Sequence, residues 1–148
     1  MNVKQRLAND YKEAMKAKDD IKKNTVNFAR AAIKQYEVDN RTELDDAGVV
    51  AVLSKQVKMR RDALSDFEKA GRMDLHESYR HEISILMEYL PKQLTEEEVQ
   101  AVIDETVKEL GIVADKQHMG RLTGAVMAKV KGVADGNIVR SLVEKRLQ

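Results

Sequence analysis

The chain has no cysteine and no tryptophan, a single proline, and only four tyrosines and two phenylalanines among 148 residues. Without cysteine there is no disulfide framework and no thiolate to act as nucleophile or metal ligand. With Pro91 alone and seven glycines, little interrupts long helices. No apolar run approaches the roughly 20 residues that a membrane span requires, so no membrane partner is expected. The opening residues, Met1-Asn2-Val3-Lys4-Gln5-Arg6, lack the apolar stretch of a secretory signal. These absences together predict a soluble protein of the cytoplasm. Charge of one sign is also missing: 26 Lys and Arg face 25 Asp and Glu. Bulk charge therefore does not select nucleic acid as a partner.

What is present is helical periodicity. Val3, Leu7, Tyr11, Ala14 and Met15 recur at helical spacing, and Asp19-Asp20 offers an N-cap to a second stripe of Val26, Ala29, Ile33 and Tyr36. A third stripe runs through Val50, Leu53, Val57, Leu64 and Phe67, interrupted by Arg60 and closed by Gly71. A fourth carries Leu75, Tyr79, Ile83, Leu86 and Leu90 and stops at Pro91, because the residue before a proline resists the α region. Thr95-Glu96-Glu97-Glu98 reads as a capping box, followed by Val99, Val102, Ile103, Thr106, Val107 and Leu110, with Gly111 as terminator. Asp115 caps a helix bearing Met119, Leu122, Val126 and Val130, with Gly132 at its end. Asp135 caps the last helix, with Val139, Leu142, Val143 and Leu147 inward. The expectation is an all-α protein with a four-helix lobe over residues 1–91 and a three-helix lobe over 92–148. Strand-like runs bounded by turns are absent.

Catalytic chemistry finds little support. His76, His81 and His118 do not share a helix face and read as surface or edge residues. No His-Glu-x-x-His pattern or cysteine supplies a metal site. Glu96, Glu97 and Glu98 are explained by capping and by the positive end of the helix dipole. Phosphate-binding glycine loops and a Gly-x-Ser-x-Gly elbow are also missing. No catalytic residue, metal or cofactor is therefore assigned.

Charge distribution is more informative than charge total. Residues 92–114 carry Lys92 and Lys108 against six acids, whereas 116–148 carry seven bases against Asp135 and Glu144. Lys55, Lys58, Arg60 and Arg61 form one basic cluster, but Asp62, Asp66 and Glu68 lie close enough to neutralise it. Lys129, Lys131, Arg140, Lys145 and Arg146 form another, around the turn Gly132-Val133-Ala134-Asp135-Gly136-Asn137. A glycine-flanked turn leading into a helix exposes backbone amides suited to phosphate. The candidate RNA-binding set is therefore Lys129, Lys131, Asn137, Arg140, Lys145 and Arg146. If the flanking helices form a hairpin, these bases can share one face. Gly120 and Gly124, four apart within a helix, predict close packing by a neighbouring helix. The alternative is a bare backbone that meets a ligand or an RNA strand.

The run "LSKQVKMRRDALSDFEKAGRMDLHESYRHEISILMEYLPKQLTEEEV" and the run "MGRLTGAVMAKVKGVADGNIVRSLVEKRL" resemble the GatB/YqeY family, and within it the stand-alone YqeY-like members. The resemblance is strongest at Ala70-Gly71-Arg72, Glu88-Tyr89-Leu90-Pro91, Gln93-Leu94, Met119-Gly120, Gly124, Met127, Lys131-Gly132 and Ala134-Asp135-Gly136. The chain departs from the family at Ala128, where many members carry proline. A related domain forms the C-terminal tail of the GatB component of the aspartyl/glutamyl-tRNA amidotransferase and is fused to some glutaminyl-tRNA synthetases. The resemblance implies a two-lobed helical fold and tRNA as partner. It also implies an amidotransferase or an aminoacyl-tRNA synthetase as protein partner. Its activity label is carbon–nitrogen ligation with glutamine as amido-N-donor, exercised only within a complex. The alternative is an adaptor that docks a larger enzyme through the N-terminal lobe.

Overall fold

A computed structural model describes residues 1–113 and 115–147. Among these the chain forms seven α-helices and no strand, and it divides into two compact units, Met1–Leu90 and Pro91–Gln148. The expectation of an all-α fold is met.

The first unit contains α1 (Val3–Lys16), α2 (Asp20–Asn40), α3 (Asp46–Lys69) and α4 (Met73–Met87). Each of the first three starts on a side-chain cap. Asn2 and Gln5 form a reciprocal capping box before α1. The Asp19 carboxylate accepts from the Lys22 amide at 3.1 Å, and that of Asp45 from the Gly48 amide at 2.9 Å. These bonds satisfy amides that a helix N-terminus leaves without partners. At the end of α3, Gly71 takes a left-handed φ of +70°. The Arg72 amide then reaches back to the Phe67 carbonyl at 2.9 Å, the closure that glycine favours.

The apolar stripes meet in a core of Val3, Leu7, Val26, Ala29, Ile33, Val49, Leu53, Val57, Ile85, Leu86 and Tyr89. The ends of the expected stripes fall outside it. Met15 and Tyr36 are half exposed, because the helices run past the core before they end. Leu64, Phe67, Leu75 and Tyr79 are only partly buried, where α3 and α4 meet near their connecting turn. The Phe67 and Tyr79 rings pack edge to face there, 4.9 Å between centroids. Arg60 interrupts the stripe without leaving a bare charge. Its Nε lies 3.3 Å from Glu82, and its Nη1 donates to the Gln56 carbonyl and side-chain oxygens at 3.1 and 3.0 Å.

Tyr89 ties the end of α4 to α1. Its hydroxyl donates to the Asp10 carboxylate, and the Arg6 guanidinium lies 5.0 Å from its ring centre. Burial first, and the Asp10 bond second, push the phenol well above its ordinary range. Helix α4 ends at Met87, four residues before Pro91. The amides of Glu88, Tyr89 and Leu90 bond the carbonyls of Ile85, Leu86 and Met87, a tightened last turn that leads into the proline.

The second unit contains α5 (Glu96–Leu110), a short 3-10 turn (Lys116–His118), α6 (Met119–Lys129) and α7 (Gly136–Arg146). The capping box at Thr95 and Glu98 forms in both directions, each bond 3.1 Å. It holds the Glu98 carboxyl below its usual value, chiefly through the Thr95 backbone amide. Asp115 caps the 3-10 turn, accepting from the Gln117 amide at 3.0 Å, and Asp135 caps α7, accepting from the Asn137 amide at 2.7 Å. Val99, Ile103, Val107, Leu122, Val126, Val130, Val139, Leu142, Val143 and Leu147 form the core, on the stripes the sequence marks.

Candidate nucleic-acid interface

The turn between α6 and α7 is held from outside. The Leu94 amide donates to the Val133 carbonyl at 2.7 Å, and the Gln93 side-chain amide donates to the Gly132 carbonyl at 3.0 Å. Gly132 itself sits at φ +81°, a conformation that glycine alone adopts freely. The segment that precedes α5 thus fixes the path of the chain at Lys131 and Gly132.

The six candidate RNA contacts do not behave alike. Lys129 is spent on a cross-helix ion pair, its Nζ 2.6 Å from Glu109. That bond is the main reason the Glu109 carboxyl lies below its ordinary value. The Nε of Arg146 lies 2.9 Å from Asp104. Lys131, Asn137, Arg140 and Lys145 are exposed. Among the described residues, Lys131, Arg140 and Lys145 make no ion pair. A shared face for all the bases is not formed. Arg140 and Lys145 are five residues apart on α7, which separates them by about 140° around the helix. Lys145 and Arg146 turn toward α5, where they line a cleft with Gln100 and Asp104. Arg140 lies on another side of α7 from Lys145, Lys131 lies in the turn that precedes the helix, and Asn137 is exposed in its first turn.

The two glycines of α6 correct the packing expectation. A Cβ built at Gly120 or Gly124 meets nothing within 4 Å, and both residues are exposed. Among the described residues, no neighbouring helix presses on them. The close approach is at Gly136 instead, where a Cβ would lie 3.3 Å from the Met127 methyl. The side of α6 at Gly120, Gly124 and Ala128 is therefore open backbone with almost no side chain over it.

Elsewhere the structure amends two further expectations. His76 is buried rather than peripheral, 8% exposed, with Nε2 2.9 Å from Glu68. In the first basic cluster, Lys58 pairs with Asp62 at 2.9 Å as expected, but Arg60 pairs with Glu82 of α4. The pairings of Lys129 with Glu109 and Arg146 with Asp104 escape sequence reasoning because they join residues 20 and 42 apart. The charge asymmetry between residues 92–114 and 116–148 is the only hint of them in the sequence.

The YqeY-like protein family matches this chain over residues 4–147. The chain belongs to that family. It is 28% identical over 146 residues to altered inheritance of mitochondria protein 41 of Vanderwaltozyma polyspora, a match that covers 94% of this chain and 79% of that protein. The protein of the same name in Lachancea thermotolerans is 35% identical over 107 residues, 70% of this chain and 57% of that one. A more distant relation is one component of an enzyme, the GatE-type polypeptide of the glutamyl-tRNA(Gln) amidotransferase of Thermococcus sibiricus. It is 33% identical over 118 residues, 78% of this chain but 18% of that polypeptide. Most of the amidotransferase polypeptide thus lies outside the match. These relatives overturn the expectation of a cytoplasmic location, because those at 28% and 35% identity are named as mitochondrial. An apolar secretory signal is not the criterion for this compartment, since mitochondrial targeting segments are amphipathic rather than apolar.

Proposed function

We propose that this chain is a tRNA-binding or accessory module related to tRNA-dependent amidotransferases, without catalytic activity of its own. The observation that carries the reading is the set of bases that remains once the ion pairs are drawn. Lys131 and Arg140 stand exposed, with no ion pair among the described residues, the first in the α6–α7 turn and the second on α7. Each can neutralise a phosphate, and the uncovered side of α6 leaves room for a strand to approach. The similarity to an amidotransferase polypeptide supports tRNA as the RNA and an amidotransferase or aminoacyl-tRNA synthetase as the protein partner. Carbon–nitrogen ligation with glutamine as amido donor would then belong to the complex. Wild-type binding to tRNA across a salt series tests the reading. Phosphate contacts give a slope of about −0.7 to −0.9 in log K against log salt for each contact, and a flat series rejects them.

A second reading rests on α2, where Phe28 is 66% and Ile21 44% exposed, seven residues apart on one side of the helix. These side chains support docking of a larger enzyme on the N-terminal unit. Docking of that kind has a shallow salt dependence, which separates it from RNA binding in the same experiment.

A further inference from the structure

A cleft of about 250 Å³ opens between α5 and α7, lined by Gln100, Ile103, Asp104, Leu142, Lys145 and Arg146. Its floor is apolar, with Ile103 1% and Leu142 5% exposed. Its rim holds one carboxamide, one carboxylate and two cations. Four of its six lining side chains are polar or charged, so the cleft suits a ligand with one flat face and a polar, charged edge rather than a wholly apolar molecule.

Aromatic content narrows the occupant. All the tyrosines and phenylalanines lie before residue 91, and the one imidazole of the second unit, His118, is bonded to Asp115 and does not line the cleft, so the unit has no phenyl, phenol or indole ring on which a base could stack. The flat groups it offers instead are the guanidinium planes of Arg121, Arg140 and Arg146, which stack on bases as aromatic rings do. Among the described residues, Arg121 and Arg140 make no ion pair that would hold their planes in place. Arg146 is held: its Nε donates to Asp104 at 2.9 Å. That bond orients the plane beside the cleft and, among the described residues, leaves Nη1 and Nη2 without a protein partner. A guanidinium already ordered by a carboxylate loses less freedom on stacking than one free in solvent.

We propose that this cleft takes one unpaired nucleotide of an RNA strand. The base lies over Ile103 and Leu142 against the Arg146 plane. The Gln100 carboxamide, with a donor and an acceptor, reads the base edge. Lys145 meets the adjoining phosphate. The inference rests on the RNA reading above and adds a preference for single strands and a choice among bases, which phosphate contacts alone do not supply.

The test is a set of binding titrations with single-stranded eight-nucleotide RNAs of each base and a duplex control. The proteins are the wild type, Gln100→Ala, Arg146→Lys and Lys145→Ala, all changed at exposed positions. The wild type is expected to favour single strands and one base over the others. Arg146→Lys keeps the charge but removes the plane, and single-strand binding should weaken about fivefold or more. Gln100→Ala should level the base preference at an unchanged salt slope. Lys145→Ala should keep the preference and lower the slope by about 0.7. If Arg146→Lys and Gln100→Ala bind as the wild type does, while the wild type retains a steep salt slope, the cleft inference fails and the RNA reading stands. If the wild type binds no RNA with a salt slope, both fall together.

Discussion

The two units spend their charge differently. In the first, ion pairs join helices or stitch turns, Lys4 with Glu37, Arg60 with Glu82 and Arg72 with Asp74, and the His76 ring meets Glu68. Opposite charges are interleaved, so little net field remains. In the second, acids gather on α5 and bases on α6 and α7. Two cross-helix pairs, at Glu109 and Asp104, neutralise part of the basic side and leave the rest unopposed. Exposed pairs contribute only about 0–1 kcal/mol each to stability. The contrast therefore says little about which unit is the more stable and much about which one presents a field to a partner. Aromatics follow the opposite division, all of them in the first unit, so its candidate partner surface is apolar where that of the second is electrostatic.

Substitutions can erase that contrast or heighten it. The strongest effects belong to the cores, which are alike in kind. Leu53→Ala in the first unit and Leu122→Ala in the second each empty a fully buried position. Each should cost about 2–5 kcal/mol in urea denaturation. A loss well below that range at either site would argue against the core assigned to its unit. Next comes Tyr89→Phe, which removes the bond to Asp10 and leaves a part-buried carboxylate without its donor. The expected cost is about 1–2 kcal/mol, and no counterpart exists in the second unit, which has no tyrosine. A null result would make the tie between α1 and the end of α4 incidental.

Smaller, and opposite in sign, is the effect of Gly124→Ala. With open space where the Cβ would sit, alanine should raise stability by up to about 1 kcal/mol through helix propensity alone. Destabilisation would mean that α6 has a covering neighbour after all. If stability rises while tRNA binding weakens, the bare side of α6 serves the ligand. Least of all is the stability change from Lys131→Ala with Arg140→Ala, within about 1 kcal/mol, because both side chains stand in solvent.

The helices of the second unit are almost wholly legible in the sequence. Thr95, Gly111, Asp115 and Asp135 mark boundaries through local hydrogen bonding, and local rules travel well from sequence to structure. The first unit is less legible at its edges. Whether Val49 or Val50 turns inward, or whether Tyr36 is covered, depends on where a long helix leaves the core, and periodicity carries no such information. Gly120 and Gly124 mislead because two glycines on one side of a helix look the same whether a helix presses on them or nothing does. Gly136, which reads only as a turn residue, makes the contact. For the candidate site, charge asymmetry points to the segment around the α6–α7 turn. It does not separate the paired bases from the rest, because the partners Glu109 and Asp104 come from another helix.

RNA binding is expected to run through the field of the second unit rather than that of the first. Paired salt titrations of tRNA binding decide it, comparing wild type with Lys131→Ala/Arg140→Ala and with Lys55→Ala/Lys58→Ala from α3. The first double variant should flatten the slope of log K against log salt by about 1–2 units, while the second leaves it at the wild-type value. One common slope for all three proteins, or a flatter slope only in the α3 variant, would refute it.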